Sequence, residues 1–215
     1  MPEFVDYIIH FDRHLAALVD AYGPWVYGLL FAIIFAETGL VVTPFLPGDS
    51  LLFAAGALAA TGSFEPWLLT GLLFLAAFSG NAVNYSIGRA IGPRVFRETD
   101  QSGLMHKLLN RRHLERAHAF FEQYGGKAVV LGRFVPIVRT FVPFVAGVAE
   151  MSYPAFALYN VTGAIAWVGI CLGAGYVFGN VPIVKDNFSL VALGIVIVSV
   201  LPMAYEILSQ RRARQ

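Results

Sequence analysis

Three apolar stretches of this chain are each long enough to cross a membrane as a helix. They run from about Trp67 to Ile87, from Phe156 to Phe178 and from Leu190 to Ile207, and about 20 helical residues span the roughly 30 Å of hydrocarbon in a bilayer. Only 13% of the 215 residues are charged, against about 25% in a typical soluble domain. We therefore predict an all-α, polytopic membrane protein. The composition rules out a disordered chain and argues against a soluble enzyme.

Net charge and cysteine content narrow the function classes further. The formal net charge is +1, so the chain lacks the basic excess that recruits nucleic acid. Cys171 is the single cysteine, which excludes a disulfide framework and a cysteine-based metal site within one chain. We expect no nucleic-acid partner, no metal, no cofactor and no enzymatic activity.

Two further apolar segments, from Trp25 to Leu58 and from Ala128 to Met151, are interrupted near their middles. The interrupting residues are Glu37, Gly39, Pro44, Pro47, Gly48 and Asp49 in the first segment and Arg133, Pro136, Arg139 and Pro143 in the second. At 1.5 Å per helical residue, each remaining apolar arm reaches about half the thickness of a membrane. Such segments are candidates for re-entrant hairpins.

Charge placement predicts on which side of the membrane each segment lies. Residues 92–127 carry seven Lys or Arg, and the tail carries Arg211, Arg212 and Arg214, so the positive-inside rule places both in the cytoplasm. Because the spans from Phe156 and Leu190 carry the chain out and back, segment 128–151 must enter and leave on the cytoplasmic side. The first broken segment, if it is also re-entrant, enters from outside. The amino-terminal helix, with one Arg against four acids, agrees with an outside location.

An internal repeat supports this topology. A shift of 91 residues aligns the first broken segment and the span after it with the second segment and its span. The aligned identities are Leu40 with Leu131, Phe53 with Phe144, Ala55 with Ala146, Gly56 with Gly147, Tyr85 with Tyr176 and Gly88 with Gly179. Two hairpin-plus-span units that enter from opposite faces form an inverted repeat, which places a site near the bilayer midplane at the repeat interface.

The single domain, 1–215, divides into six predicted parts. These are an interfacial amphipathic helix (1–23), a first repeat (25–90), a cytoplasmic basic loop (91–127), a second repeat (128–179), a transmembrane helix (189–208) and a cytoplasmic tail (209–215). The first part has apolar residues at three- and four-residue steps, namely Phe4, Ile8, Phe11, Leu15 and Leu18, as in an interfacial helix. A helix packed on the soluble side of the domain is the alternative. The charged residues within 1–23 argue against a cleavable signal peptide.

Four ionisable residues lie inside the broken segments: Glu37, Asp49, Arg133 and Arg139. Left unpaired in lipid, they would cost on the order of 10 kcal/mol together. We therefore predict that the two hairpins bring two carboxylates to two guanidinium groups in a water-accessible cavity that binds a substrate. A structural charge lock between the repeats is the alternative.

Four polar residues near the cytoplasmic end of the first span are further candidate substrate ligands. They are Asn81, Asn84, Tyr85 and Arg89. Asparagines inside a span also form hydrogen bonds between helices, and an arginine at the end of a span also anchors it at the interface. Both readings stay open for these residues.

Two apparent motifs carry no chemistry in our interpretation. Residues 48–51 spell the GDSL string of a hydrolase family, but the chain has no Asp-x-x-His to supply the base and its orienting acid. His113 and His118 are five residues apart, which misses the i, i+4 spacing of a helical zinc site. We expect a solvated, charged helix face there.

Three strings resemble the DedA family of bacterial inner-membrane proteins, also called the VTT-domain superfamily. They are ETGLVVTPFLPGDSLL at 37–52, GNAVNYSIGR at 80–89 and GRFVPIVRTFVPFVAG at 132–147. The resemblance implies that Glu37, Asp49, Arg133 and Arg139 are required for function. It also implies translocation of a lipid, undecaprenyl phosphate in bacteria and phospholipids in eukaryotic relatives. Asn81 departs from the family, in which Asp often stands there, and this argues against a proton relay through position 81.

These observations favour a lipid transporter of the bacterial inner membrane whose partner is a phosphate lipid such as undecaprenyl phosphate. Two forked guanidinium groups suit a phosphate independently of the resemblance. Proton coupling through Glu37 or Asp49 is a further hypothesis. The alternatives are a carrier of small polar solutes coupled to ions or protons, and an assembly factor without a transported substrate. The oligomeric state stays open, with a homo-oligomer among the possibilities.

Overall fold

The fold is helical throughout the residues that the computed structural model describes, which are 11–40, 48–97, 111–182 and 184. The helices are α1 (Phe11–Gly39), α2 (Gly48–Ala60), α3 (Pro66–Arg97), α4 (Arg111–Tyr124), α5 (Ala128–Leu131), α6 (Pro136–Arg139), α7 (Val142–Val148) and α8 (Tyr153–Gly179). Short 3-10 turns cover Gly125–Lys127 and Gly132–Phe134. The prediction of an all-α protein is confirmed for this part of the chain.

Two of these helices are long and apolar enough to cross a membrane. They cover Pro66–Ile91 and Tyr153–Gly179, and they contain the predicted spans from Trp67 and Phe156. The apolar helices Trp25–Gly39 and Gly48–Ala60 are shorter, as expected for the arms of the first broken segment. The predicted span from Leu190 to Ile207, the tail and residues 1–10 lie outside the described residues.

Two helices continue past predicted boundaries, while the division into six parts stays a prediction. Helix α1 runs without interruption from Phe11 to Gly39, so residues 11–23 and the first apolar arm share one helix instead of separating near residue 24. Pro24 lies inside this helix and removes one backbone N–H donor from it. Helix α3 also continues to Arg97, beyond the predicted end of the first repeat at residue 90.

The predicted cytoplasmic loop contains an amphipathic helix, α4. Its apolar residues Ala117, Phe120 and Phe121 follow helical spacing and pack against the core cluster that includes Val142 and Phe144 of α7. Glu115 and Arg116 are exposed. A helix here agrees with the solvated, charged helix face expected around His113 and His118, and the packing of its apolar side stabilises it.

The second broken segment is divided as its prolines predict. Val135, between a 3-10 turn and α6, has the extended backbone angles φ −111° and ψ 105°, as is usual for a residue before proline. Pro136 and Pro143 then lie in the first turns of α6 and α7, where the missing N–H leaves no helical hydrogen bond unmade. The result is a chain of short helices between α4 and α8.

The chain forms two compact units. The first unit combines Met1–Leu30, Pro47–Thr70 and Ile170–Gln215, and the second combines Phe31–Leu46 and Gly71–Gly169. In the first unit, α2 packs closely on the end of α8. Gly56 faces the backbone of Leu172 and Tyr176, and the rings of Phe53 and Phe178 lie 5.4 Å apart.

The second unit contains a matching contact between α7 and α3. Gly147 faces the backbone of Tyr85 and Arg89, and Gly88 faces the backbone of Phe144. Under the 91-residue shift, Gly147 corresponds to Gly56 and Tyr85 corresponds to Tyr176. In each unit, therefore, the second arm of one broken segment packs on the long helix that follows the other broken segment, through glycines that the 91-residue shift aligns.

A substitution at Gly147 tests this contact. A Cβ atom there would lie 2.7 Å from the Arg89 nitrogen and would also meet the Tyr85 carbonyl oxygen. Gly147→Ala should therefore lower the free energy of unfolding by about 1–3 kcal/mol, as measured by SDS titration from mild detergent. The control is Gly71→Ala, where nothing lies within 4 Å of the added atom and helix propensity predicts a gain of up to about 1 kcal/mol. A loss of equal size in both variants would contradict close packing at Gly147.

Candidate functional site

A small polar cavity lies inside the second unit, and its volume is about 10 Å³. A cavity of this size has room for one water-sized sphere. Its walls come from the end of α1, from α3, from α8 and from the broken segment between α4 and α8. The lining residues are Trp167 and six polar residues: Glu37, Thr38, Asn81, Arg133, Arg139 and Thr140.

An ion pair between Glu37 and Arg139 forms one side of this cavity. Arg139 Nη2 donates to Glu37 Oε1, and the Glu37 side chain is 0% exposed and that of Arg139 10% exposed. Glu37 lies in the last turn of α1, and Arg139 is the last residue of α6. The predicted meeting of a carboxylate from the first segment with a guanidinium from the second is present in this pair.

Arg133 is held on the other side by a network around Asn160. Arg133 Nη2 donates to Asn160 Oδ1 at 2.7 Å and to the Ala77 carbonyl at 3.3 Å. Asn81 Nδ2 donates to the same Asn160 oxygen at 3.1 Å, and Asn160 Nδ2 donates to the Phe78 carbonyl at 3.0 Å. Asn160 thus connects Arg133 to two positions on α3 and orients its guanidinium.

The indole of Trp167 contacts both arginines. The Cζ atoms of Arg133 and Arg139 lie 5.8 Å and 5.6 Å from its ring centroid, within the range of a cation–π interaction. Trp167 is almost fully buried, so its ring is a fixed surface. The two positively charged guanidinium groups therefore lie against the same indole ring at one cavity.

Two cavity-lining groups have unused hydrogen-bonding capacity among the described residues. Arg133 Nε and Thr140 Oγ1 are both buried, and neither has a hydrogen-bond partner there. A buried donor without a partner costs about 1–3 kcal/mol. These two groups are therefore candidates to bind an oxygen atom of a ligand.

The remaining predicted residues of the first span, Asn84, Tyr85 and Arg89, are not among the residues that line the cavity. Asn84 Nδ2 donates to the carbonyls of Thr38 and Thr140, at 3.1 Å and 2.7 Å, as in the alternative of hydrogen bonding between helices. Arg89 Nη1 donates to the Tyr85 hydroxyl at 2.9 Å, and that hydroxyl donates to the Met151 carbonyl. For Asn84, Tyr85 and Arg89, a binding role stays a prediction.

Asp49 and the histidines lie elsewhere. Asp49 is in the first turn of α2, in the first unit, so its part in the predicted four-charge cluster stays a prediction. On α4, His118 Nδ1 lies 3.6 Å from Glu122 Oε1, and both side chains are largely exposed. The described ranges contain no group of three or more His, Cys, Asp or Glu that could hold a metal ion.

Sequence reasoning missed Asn160, Thr140 and Trp167 as site residues. Asn160 carried a usable signal, because it is a polar residue within an apolar span, where such residues usually have a partner. Thr140 follows Arg139 directly in the string GRFVPIVRTFVPFVAG at 132–147. Trp167 carried no such signal, since an aromatic residue in a span is usually a packing residue.

Comparison with known proteins gives consistent matches. The VTT domain family model matches residues 46–177. The chain is 52% identical to Protein DedA of Escherichia coli (strain K12) over 211 residues, which cover 97% of this chain and 94% of that protein. It is 37% identical to the inner membrane protein YqjA of the same strain, over 74% of this chain and 70% of YqjA. An uncharacterized membrane protein of Mycobacterium tuberculosis (strain ATCC 25618 / H37Rv) is 42% identical, over 100% of this chain and 91% of that protein. No solved structure matches.

Proposed function

The chain belongs to the VTT-domain (DedA) family of membrane proteins, and from this premise we propose that it transports a phosphate lipid, undecaprenyl phosphate, across the bacterial inner membrane. The observation that carries the proposal is the convergence of Arg133 and Arg139 on one buried polar cavity. Among the described residues, two guanidinium groups and one carboxylate, that of Glu37, line this cavity, and this balance of charge favours an anionic ligand.

The chemistry of the cavity favours a phosphate among anions. A guanidinium group presents a planar fork of donors that matches phosphate oxygens in two places at once. The guanidinium groups of Arg133 and Arg139 share one indole surface, so both positive charges lie near the same ligand. The low charge content of the rest of the chain suits contact with a long apolar lipid tail.

The proposal places this site between two inverted repeats with re-entrant hairpins. Its support is the pair of equivalent contacts in the two units, Gly56 on the end of α8 and Gly147 on the end of α3. The broken helices from Ala128 to Val148 also suit a segment that enters and leaves on one side. The basic residues between 92 and 127 favour a cytoplasmic location for this region. Labelling from outside the cell of a cysteine introduced at Ser102 would contradict it.

Coupling to protons follows from the same pair of charges. A lipid phosphate that approaches Arg139 competes with the Glu37 carboxylate for one guanidinium group. A buried carboxylate that loses its counter-charge favours the protonated form. Binding of the lipid would therefore promote proton uptake at Glu37. Asp49, in the first turn of α2, is the second candidate proton carrier.

Reconstitution into liposomes tests the function and its coupling together. Labelled undecaprenyl phosphate should move between leaflets in wild-type proteoliposomes, at a rate that depends on an imposed pH gradient, and labelled glycerophospholipid should move more slowly. Glu37→Gln or Asp49→Asn should remove the gradient dependence if that residue carries the proton. Transport that ignores the gradient in the wild type would exclude proton coupling. No lipid movement at all would favour the carrier of polar solutes or the assembly factor.

A further inference from the structure

The cavity between Arg133 and Thr140 has the size and the donors of a binding place for a single oxygen atom. Its volume is about 10 Å³, which matches one water-sized sphere. Arg133 Nε and Thr140 Oγ1 line it without hydrogen-bond partners among the described residues. The exposed fractions of these residues are 4% and 1%, so bulk water does not satisfy them.

We propose that Thr140 is a ligand of the substrate, and that its hydroxyl and Arg133 Nε together bind one phosphoryl oxygen. This inference rests on the proposed function and assigns a ligand to it. The Thr140 hydroxyl donates one hydrogen bond and Arg133 Nε donates a second, and both donors suit an oxygen that carries negative charge.

Other donors that line the cavity already make hydrogen bonds within the protein, so the remaining phosphate oxygens must bind elsewhere. Arg133 Nη2 already donates to Asn160 and to the Ala77 carbonyl, so this end of its fork is engaged. The Thr38 hydroxyl donates to the Ile34 carbonyl at 2.8 Å, so it is engaged as well. A whole phosphate group exceeds the cavity. Its other oxygens take the place beside Arg139 that the Glu37 carboxylate occupies in this structure.

A structural role and a ligand-binding role of Thr140 predict different effects of a substitution on stability and on phosphate binding. A threonine that only supports the fold loses stability when its hydroxyl is removed. The Thr140 hydroxyl has no internal partner in the described part of the chain, so its removal relieves an unsatisfied buried group. Thr140→Val, which keeps the shape of the side chain, should leave the melting temperature of the lipid-free protein unchanged or higher, while it weakens the binding of phosphate.

The experiment is calorimetric titration of the purified full-length protein in detergent with undecaprenyl phosphate, farnesyl phosphate and inorganic phosphate. Thr140→Val should weaken the binding of both lipid phosphates by about 10- to 100-fold, the expected effect of one hydrogen bond to a charged group. Thr140→Ser keeps the hydroxyl and should bind almost as the wild type does. The matched control is Thr162→Val, since the exposed Thr162 hydroxyl donates to the Leu158 carbonyl at 2.8 Å of its own helix.

The possible outcomes distinguish this inference from the proposed function. If Thr140→Val binds the lipid phosphates as the wild type does and Arg139→Lys does not bind them, Thr140 is not a ligand. That result would overturn this inference and would still support the proposed function. A lower melting temperature together with unchanged affinity would also overturn it and make Thr140 a structural residue. Equal wild-type affinity for inorganic phosphate and the lipids, weakened by Thr140→Val, would support the site and contradict a lipid substrate. No binding of any phosphate by the wild type would overturn both.

Discussion

Replacing Glu37 with glutamine should lower the free energy of unfolding by about 3–5 kcal/mol, because Arg139 then keeps a buried charge without its carboxylate. Arg139→Gln should have a similar effect, since it leaves the fully buried Glu37 without its guanidinium. The double variant Glu37→Gln, Arg139→Gln removes both charges and should recover much of the loss. SDS titration from mild detergent measures all three variants.

The control for this cycle is the exposed pair of α4. His118 and Glu122 are four residues apart on one helix, with side chains 40% and 71% exposed, and exposed pairs contribute little to stability. Glu122→Gln should therefore change the free energy of unfolding by at most about 0.5 kcal/mol. Strictly additive losses in the Glu37 and Arg139 cycle would contradict an energetically coupled pair.

Replacing either cavity arginine with lysine should weaken binding of undecaprenyl phosphate by about 10-fold or more while the fold persists. At position 139 lysine keeps the charge but loses the planar fork and its parallel hydrogen bonds to phosphate, and at position 133 it keeps the charge but loses the Nε donor. Binding is measured by titration of the purified protein, and leaflet exchange by reconstitution. The matched control is Arg116→Lys on the exposed side of α4, which should bind and transport as the wild type does.

The arginine variants also separate the competing functions. An assembly factor without a transported substrate should tolerate both changes, because the charge and most of the packing persist. Wild-type lipid binding in both lysine variants would move the phosphate site away from the broken segment between α4 and α8. Loss of binding together with extensive unfolding would instead show that the two guanidinium groups stabilise the fold. This is the result that a structural charge lock between the repeats predicts.

The sequence predicted the parts of the structure that follow from local chemistry. The long spans follow from apolar composition, and the division near Val135 follows from Pro136 and Pro143. The presence of a buried carboxylate–guanidinium pair follows from the cost of leaving charges unpaired in lipid. Which carboxylate meets which arginine does not follow, because that choice depends on how α1 and α6 pack.

Other features depend on tertiary packing from the start. The continuity of α1 through Pro24 is not what local chemistry predicts, because an interior proline removes one helical hydrogen bond. Asn160 contacts Arg133, and Trp167 lines the cavity, because α8 turns one particular side toward Arg133. A helical sequence pattern without a strong difference between its sides does not show which side that is.

The two glycine contacts have a consequence for how a chain of this kind can be assembled. The arm that carries Gly56 packs on a span that follows Gly147 in sequence, and the arm that carries Gly147 packs on a span that follows Gly56. Neither half of the sequence contains the surface that its own arm needs. A chain with only one half could satisfy these contacts solely by exchanging arms with a second copy, as in a domain-swapped dimer. Joining both halves in one polypeptide makes that exchange intramolecular and independent of protein concentration.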